Sequence, residues 1–331
     1  MAKFLIVLSM ENIELSKYET IIFLGLKTYS MYGNLLIAEV PSSSIRKICR
    51  LSYAKKVFEL LFECETVELK KKMSAYGWKS EYKKNFCLRI HHDEQSKKTS
   101  SEIDEKKYAS YIWNSLEKSR IKPEVKLDNP VSAFEIFIDK KTCFACRLAC
   151  ENAEDFESRK TEFWPEHHPT TMNPRMARAL VNLADCDEIV DPFCGAGGIL
   201  IEACLMDIKC KGYDIDKAML ERAEINLHHY GIKKHECKLK RLDSTKLKNL
   251  KNIVTDLPYG KSSKKSVEIT KLYSKFISRI AGRSVIVMPD FVNYKTILKK
   301  NLSKKLRIVK MIRHYVHKSL TRIIIIIDKK K

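Results

Sequence analysis

Along this chain of 331 residues the spacing of apolar positions changes character near residue 170. Before that point, period-two and short apolar runs predict strands at Lys3–Leu8, Leu35–Val40, Asn85–Ile90, Val131–Ile138 and Thr142–Ala149. Helical spacing predicts helices over Ser16–Thr20, over Ser44–Leu51 continuing toward Phe62, and over Tyr108–Ser119, where Tyr108, Ile112 and Leu116 share one face. The polar stretch from His92 to Ser101 reads as a loop, and Asn129-Pro130 interrupts the chain before the strand that follows. This half reads as two α+β units, residues 1–60 and 61–150.

Residues 151–170 carry mixed charge and then Phe163-Trp164-Pro165, the pattern of a linker. Over 171–331 strands alternate with helices. The strands are Glu188–Phe193, Cys210–Ile215, Cys237–Asp243, Asn252–Leu257, Ser284–Met288, Leu306–Tyr315 and Thr321–Asp328. The helix Lys217–Tyr230 lines up Met219, Ala223 and Leu227. Such alternation implies a seven-stranded, mostly parallel, Rossmann-like sheet covered on both faces. The last two strands have no helix between them and should form a hairpin.

Charge sharpens this division. Residues 1–160 carry 28 Lys and Arg against 23 acids, whereas 161–331 carry 34 against 18, and only Asp256, Glu268, Asp290 and Asp328 follow Ser244. Cationic excess of this size fits a polyanionic partner, because neutralising phosphates releases condensed counterions. No apolar run reaches the roughly 18 residues of a membrane helix, and Met1–Leu8 lacks the cleavage pattern of a signal peptide. The 11 cysteines, an odd number, argue against a disulfide framework and for a reducing, cytoplasmic setting. Cys143 and Cys146 have zinc-like spacing. On a strand, however, residues three apart face opposite ways, so no metal site is expected.

The chemistry lies at the ends of the second-half strands. Asp191-Pro192-Phe193-Cys194-Gly195-Ala196-Gly197-Gly198 closes a strand and opens a helix, but it departs from the G-x-G-x-x-G dinucleotide pattern at Leu200. Asp214 ends the second strand, placed to accept two ribose hydroxyl hydrogen bonds, while Asp216 is positioned to cap the next helix. Asp243-Ser244 ends the third strand, and Asp256-Leu257-Pro258-Tyr259 the fourth. Alone, Asp-x-Pro-Tyr-Gly is a β-turn; behind three acid-tipped strands it reads as a catalytic centre. A carboxylate at Asp256 and the Leu257 carbonyl can accept both N–H groups of a base amine, whose lone pair is delocalised into the ring. Pro258 stiffens the turn, and Tyr259 can stack on an extruded base.

The first of these stretches resembles motif I of class I methyltransferases, and the last resembles the (Asp/Asn)-Pro-Pro-(Tyr/Phe) motif of amino-group methyltransferases, with Leu257 in place of the commoner first proline. The resemblance implies S-adenosylmethionine as methyl donor, held by Thr171, Asp191, Phe193, Gly195, Gly197, Asp214, Ile215, Asp243 and Ser244. It implies in-line transfer without a covalent intermediate.

In the first half, Phe86-Cys87-Leu88-Arg89-Ile90 and Asn129-Pro130-Val131 through Asp139 resemble the THUMP domain, an RNA-binding module that, with a ferredoxin-like N-terminal neighbour, holds the acceptor end of tRNA. With His167–Asn182 and His317–Arg322, the whole chain is most similar to the archaeal methyltransferases of guanine 10 in tRNA, which form N2-methyl- and N2,N2-dimethylguanine. That implies tRNA as partner, a monomer needing no second protein, and RNA contacts at Lys70, Lys71, Lys72, Arg89, Lys261, Lys318 and Arg322. Methylation of another tRNA guanine, such as position 6, and of an amino group in DNA are the competing readings.

Overall fold

The computed structural model describes residues 1–92, 104–152, 154–259 and 263–330, and most of the polar loop expected at His92–Ser101 lies outside them. The chain forms two compact units. One comprises residues 1–10, 26–50 and 54–152; the other comprises 11–25, 51–53 and 153–331.

The first unit is built on one seven-stranded sheet, whose members are β1 (Ala2–Leu8), β2 (Ser30–Tyr32), β3 (Leu35–Val40), β4 (Ala54–Glu65), β5 (Phe86–His92), β6 (Ser132–Asp139) and β7 (Thr142–Glu151), ordered β2-β3-β1-β4-β7-β6-β5. The segments expected as separate α+β units thus share a sheet. The helix expected to run toward Phe62 ends at Ile48, as α2 (Ile45–Ile48), because Ala54–Glu65 is a central strand pairing antiparallel with both β1 and β7. Its aromatic and β-branched positions, Val57, Phe58 and Phe62, suit a pleated surface covered on both sides.

Two further helices, α3 (Leu69–Ala75) and α4 (Glu105–Lys118), pack with this sheet, and α4 buries Tyr108, Ile112 and Leu116 as the spacing requires. Cys143 and Cys146 join different apolar clusters, on the two faces of β7. Cys49 and Cys150 form a disulfide within this unit, which the odd cysteine count does not reveal.

The second unit carries the doubly wound sheet. Its strands are β8 (Glu188–Asp191), β9 (Lys209–Asp214), β10 (Cys237–Arg241), β11 (Ile253–Asp256), β12 (Ser284–Pro289), β13 (Leu306–His317) and β14 (Leu320–Lys329), ordered β10-β9-β8-β11-β12-β14-β13. The first five are parallel; β14 runs antiparallel to β12 and forms the expected hairpin with β13. The Ile323–Ile327 run alternates between two cores: Ile324 and Ile326 enter one, and Ile323, Ile325 and Ile327 the other. Helices α5 (Pro174–Ala184), α6 (Gly198–Cys204), α7 (Lys217–His229), α8 (Ser263–Ile277) and α9 (Tyr294–Asn301) follow or connect these strands.

Two features depart from the sequence reading. Helix α1 (Ile13–Leu24), which lies within the expected N-terminal unit, belongs to the second compact unit. Its buried Glu19 accepts from Ser52 N, Ser52 Oγ, Tyr53 N and Asn182 Nδ2 at 2.7–2.9 Å, and burial raises its carboxyl above the ordinary value against those four bonds. The stretch expected as a linker is docked as well. Arg159 and the fully buried Arg178 both pair with Glu202 and Glu154, and both guanidinium groups lie over Phe156. A buried arginine is tolerated only with partners of this kind, and removing one carboxylate would leave an uncompensated charge.

Candidate active site

The carboxyl ends of β8, β9, β10 and β11 converge on a cavity of about 490 Å³, within the range of small-molecule sites. Thr171, Asp191, Phe193, Gly195, Asp214, Ile215, Asp243, Ser244 and all four residues from Asp256 to Tyr259 line it. Gly197 does not; it caps α6 with φ +93°, a left-handed conformation that favours glycine, and Gly198 takes the lining position. Larger grooves of about 1040 and 900 Å³ lie along the β9–β10 edge and at the opposite ends of the strands, and they hold none of the motif residues.

Three acids shape one end of the cavity by the same local device. Asp191 accepts from Phe193 N, Asp214 from Asp216 N and Asp243 from Thr245 N, each at 2.9–3.1 Å and each two residues ahead. Each bond folds the chain just beyond its strand into a tight turn. Asp214 also accepts from Gly195 N at 2.9 Å, which ties the glycine loop to the second strand. Asp243 takes both Thr245 donors on Oδ1, and these bonds hold its carboxyl below the usual range. Asp191 is 2% exposed; burial pushes its carboxyl up to about 7, against hydrogen bonds from Thr255 and Phe193 and with the charges of Asp214 and Asp256 adding to the rise. Asp216 caps α7 through Ala218 N, as its position predicts.

These residues fit the adenosyl and methionine parts of S-adenosylmethionine. Gly195 has φ +50°, and a Cβ built there meets no atom within 4 Å, so the loop leaves open space at the cavity wall. Ile215 is 64% exposed at that wall, an apolar surface suited to a flat base.

The other end is assembled from distant parts of the chain. Leu257, fully buried, fixes the turn by donating its N–H to Val287 O at 3.0 Å, and Tyr273 of α8 donates its hydroxyl to Pro258 O at 2.7 Å. Tyr259 Oη donates to Asp256 Oδ1, while Arg322 Nη2 pairs with Asp256 Oδ2 at 3.3 Å and Arg322 Nε donates to Tyr259 Oη at 3.2 Å. Burial pushes the Asp256 carboxyl up to about 6, with the Arg322 charge and the Tyr259 bond pulling it back; 18% of the side chain remains exposed.

Arg322 therefore corrects the sequence reading. It is not an exposed phosphate contact but a 9% exposed cation paired to the Asp256–Tyr259 turn, brought there because β14 pairs with β12 with Arg322 opposite Pro289. Tyr273 went unread as well: its fifteen-residue offset from Pro258 leaves no local pattern. Among the other expected RNA contacts, Lys70, Lys71 and Lys72 lie exposed on α3, and Arg89 is exposed but paired with Glu105 at 3.2 Å. Lys318 is exposed at the β13–β14 turn, and Lys261 lies outside the described residues. No helix among the described residues is long and apolar enough to cross a membrane, and no group of three potential metal ligands occurs among them.

Comparison with known proteins agrees with this geometry. The profile of the RMKL-like methyltransferase domain matches residues 162–322, and that of a DNA methylase family matches 29–225, short of the Asp256 turn. A tRNA (guanine(10)-N2)-dimethyltransferase of Methanothermobacter thermautotrophicus is 31% identical over 294 residues, 85% of this chain and 84% of that protein. One from Methanocaldococcus jannaschii is 32% identical over 71% of this chain and 67% of that protein. TrmN from Thermus thermophilus (TM-score 0.51, 15% identity, 99% of this chain and 100% of that one) and a possible methylase from Clostridium difficile 630 (TM-score 0.52, 17% identity, 100% and 98%) share the fold. With a methyltransferase cavity built from its own acid-tipped strands and a relative aligned over most of both chains, the protein belongs to the tRNA (guanine(10)-N2)-dimethyltransferase family.

Proposed function

We propose that the chain transfers methyl groups from S-adenosylmethionine to the N2 amine of guanine 10 in tRNA, giving N2-methylguanine and then N2,N2-dimethylguanine. The observation that carries this reading is Asp256, a carboxylate paired with Arg322 at the edge of the cavity that Asp191, Asp214 and Asp243 line. Asp214 would accept from the ribose hydroxyls of the cofactor and Asp243 from its adenine amine, with Asp191 facing the methionine amino end. When bound, the cofactor supplies an electrophilic methyl group.

The protein's part is to make a weak nucleophile reactive. Asp256 and the Leu257 carbonyl accept the two amine N–H bonds, which fixes the nitrogen in line and stabilises the positive charge it develops. A carboxyl with a pKa of about 6 is an anion at neutral pH and can take up the proton the amine releases. Arg322 keeps that carboxylate oriented. Tyr259 holds the acceptor oxygen until the base arrives and then offers its ring to the base.

The same reading makes residues 61–150 a THUMP-like module for the tRNA acceptor end, and it makes the enzyme a cytoplasmic monomer. Incubation of an unmodified tRNA transcript with labelled cofactor, followed by mass mapping of the nucleosides, tests it. Label in guanine 10 is the expected result. Label at another guanine moves the target, and faster transfer to the matching DNA overturns the choice of RNA.

A further inference from the structure

The turn-proximal end of the β13–β14 hairpin reaches the Asp256 turn through Arg322. Arg322, opposite His314 in the hairpin, contacts Asp256 and Tyr259; one residue further along, Thr321 lies opposite Tyr315. Strand rise places Tyr315 only about 3.4 Å beyond the level of Arg322 along the hairpin, on the opposite face of the sheet, the face of Ile323 and Ile325. Thr321 also bonds the loop after β12, with Asp290 N donating to Thr321 O at 2.9 Å. At this corner three large apolar side chains are exposed: Tyr315 at 66%, Phe291 at 48% and Val316 at 38%. Tyr315 shares its sheet face with Ile323 and Ile325 but stays exposed at the rim of their core.

Charge here favours RNA. Arg313, His317 and Lys318 are exposed around Tyr315, and the nearby acid Asp290 pairs with Arg313 at 3.3 Å. Aromatic faces interleaved with cations are the combination that binds unstacked bases beside a phosphate backbone.

Guanine N2 spends one of its two hydrogens on the Watson–Crick pair, so in a paired stem the base must leave the stack before Asp256 and the Leu257 carbonyl can accept both. Its departure opens a gap between the neighbouring bases. We propose that Tyr315 is a substrate-positioning residue that stacks into this gap, with Phe291 supporting it and Lys318 holding the adjacent phosphate. This rests on the functional reading above and adds how the target base is kept out of its helix.

The test compares the full-length enzyme with Tyr315→Ala and Tyr315→Phe on two RNAs. One is the unmodified tRNA; the other has an abasic site opposite the target guanine, so that no base pair need be opened. On the paired tRNA, Tyr315→Ala should lose about 10-fold or more in kcat/KM, the scale of one base–aromatic stack, and Tyr315→Phe should stay within about 2-fold. On the abasic RNA the Ala deficit should shrink to about 3-fold or less. Cofactor binding by calorimetry should be unchanged in both variants, which separates a local effect from misfolding. Equal deficits on both RNAs, or none on the paired one, with an active parent enzyme, overturn the role of Tyr315 and leave the functional reading intact. If the parent methylates neither RNA, the functional reading fails and this inference with it.

Discussion

The two ends of the cavity differ in how much of their framework is local. At the end lined by Asp191, Asp214 and Asp243 each acid accepts an N–H two residues ahead, and Asp191 and Asp214 are tied further by Thr255 Oγ1 and Gly195 N. At the target end Asp256 depends on Arg322, 66 positions later in sequence, and its turn leans on Tyr273 of a separate helix. The Asp256 turn is therefore complete only when β14 has paired with β12.

The contrast can be broken at several points. Asp256→Ala should have the largest effect, lowering kcat by about 10²–10³-fold or more, the scale of losing a main electrostatic contact to a developing charge. Cofactor affinity by calorimetry should stay within about 2-fold of the parent, since none of the hydrogen bonds that hold Asp191, Asp214 and Asp243 runs to the Asp256 side chain. A parallel fall in cofactor affinity would show the two ends to be one unit.

Arg322→Met should lower kcat by about 10–100-fold and move its pH dependence. In the parent, activity should rise with pH through about 6, because a protonated Asp256 is a weaker acceptor and can neither take up the amine's proton nor balance its developing charge. Without the arginine cation the carboxylate is harder to form, so the rising limb should shift upward by about one unit or more in a kcat–pH profile. An unmoved limb would mean that Arg322 acts only in packing.

Asp214→Ala should weaken cofactor binding by about 10-fold, the scale of a charge-assisted hydrogen bond, and leave kcat at saturating cofactor close to the parent's. The smallest change is expected for Tyr273→Phe, which removes one hydrogen bond to Pro258 O: about 1 kcal/mol of stability in a denaturant titration and a few-fold in kcat.

This division also explains what could be read from sequence. The alternation of strand and helix after residue 170, the hairpin at the end and the three acids were legible because each is written within a few consecutive residues. Arg322 was visible as a basic residue but was misplaced, since its burial follows from the pairing of β14 with β12 and not from its neighbours. Tyr273 carried no signal at all. In the first unit, the stretch after Ser44 has apolar residues at both helical and strand spacings. Pairing with β1 and β7 decided the matter in favour of a strand after Ile48. The docking of the segment before residue 170 was hidden for a related reason: its charges look solvent-seeking until Glu202 and Arg178 are seen to be buried partners.

Helix α1 carries a consequence for how the chain is made. Glu19 and its partner Asn182 are separated by 163 residues. A ribosome moving at about 5–20 residues per second would deliver the second roughly 10–30 seconds after the first. The helix must therefore wait, through synthesis of the other six strands of the first sheet, for the surface it covers. Order of synthesis and order of assembly are uncoupled here: the methyltransferase unit can close only after the last of its pieces has emerged, although one of its helices is among the first parts of the chain to appear.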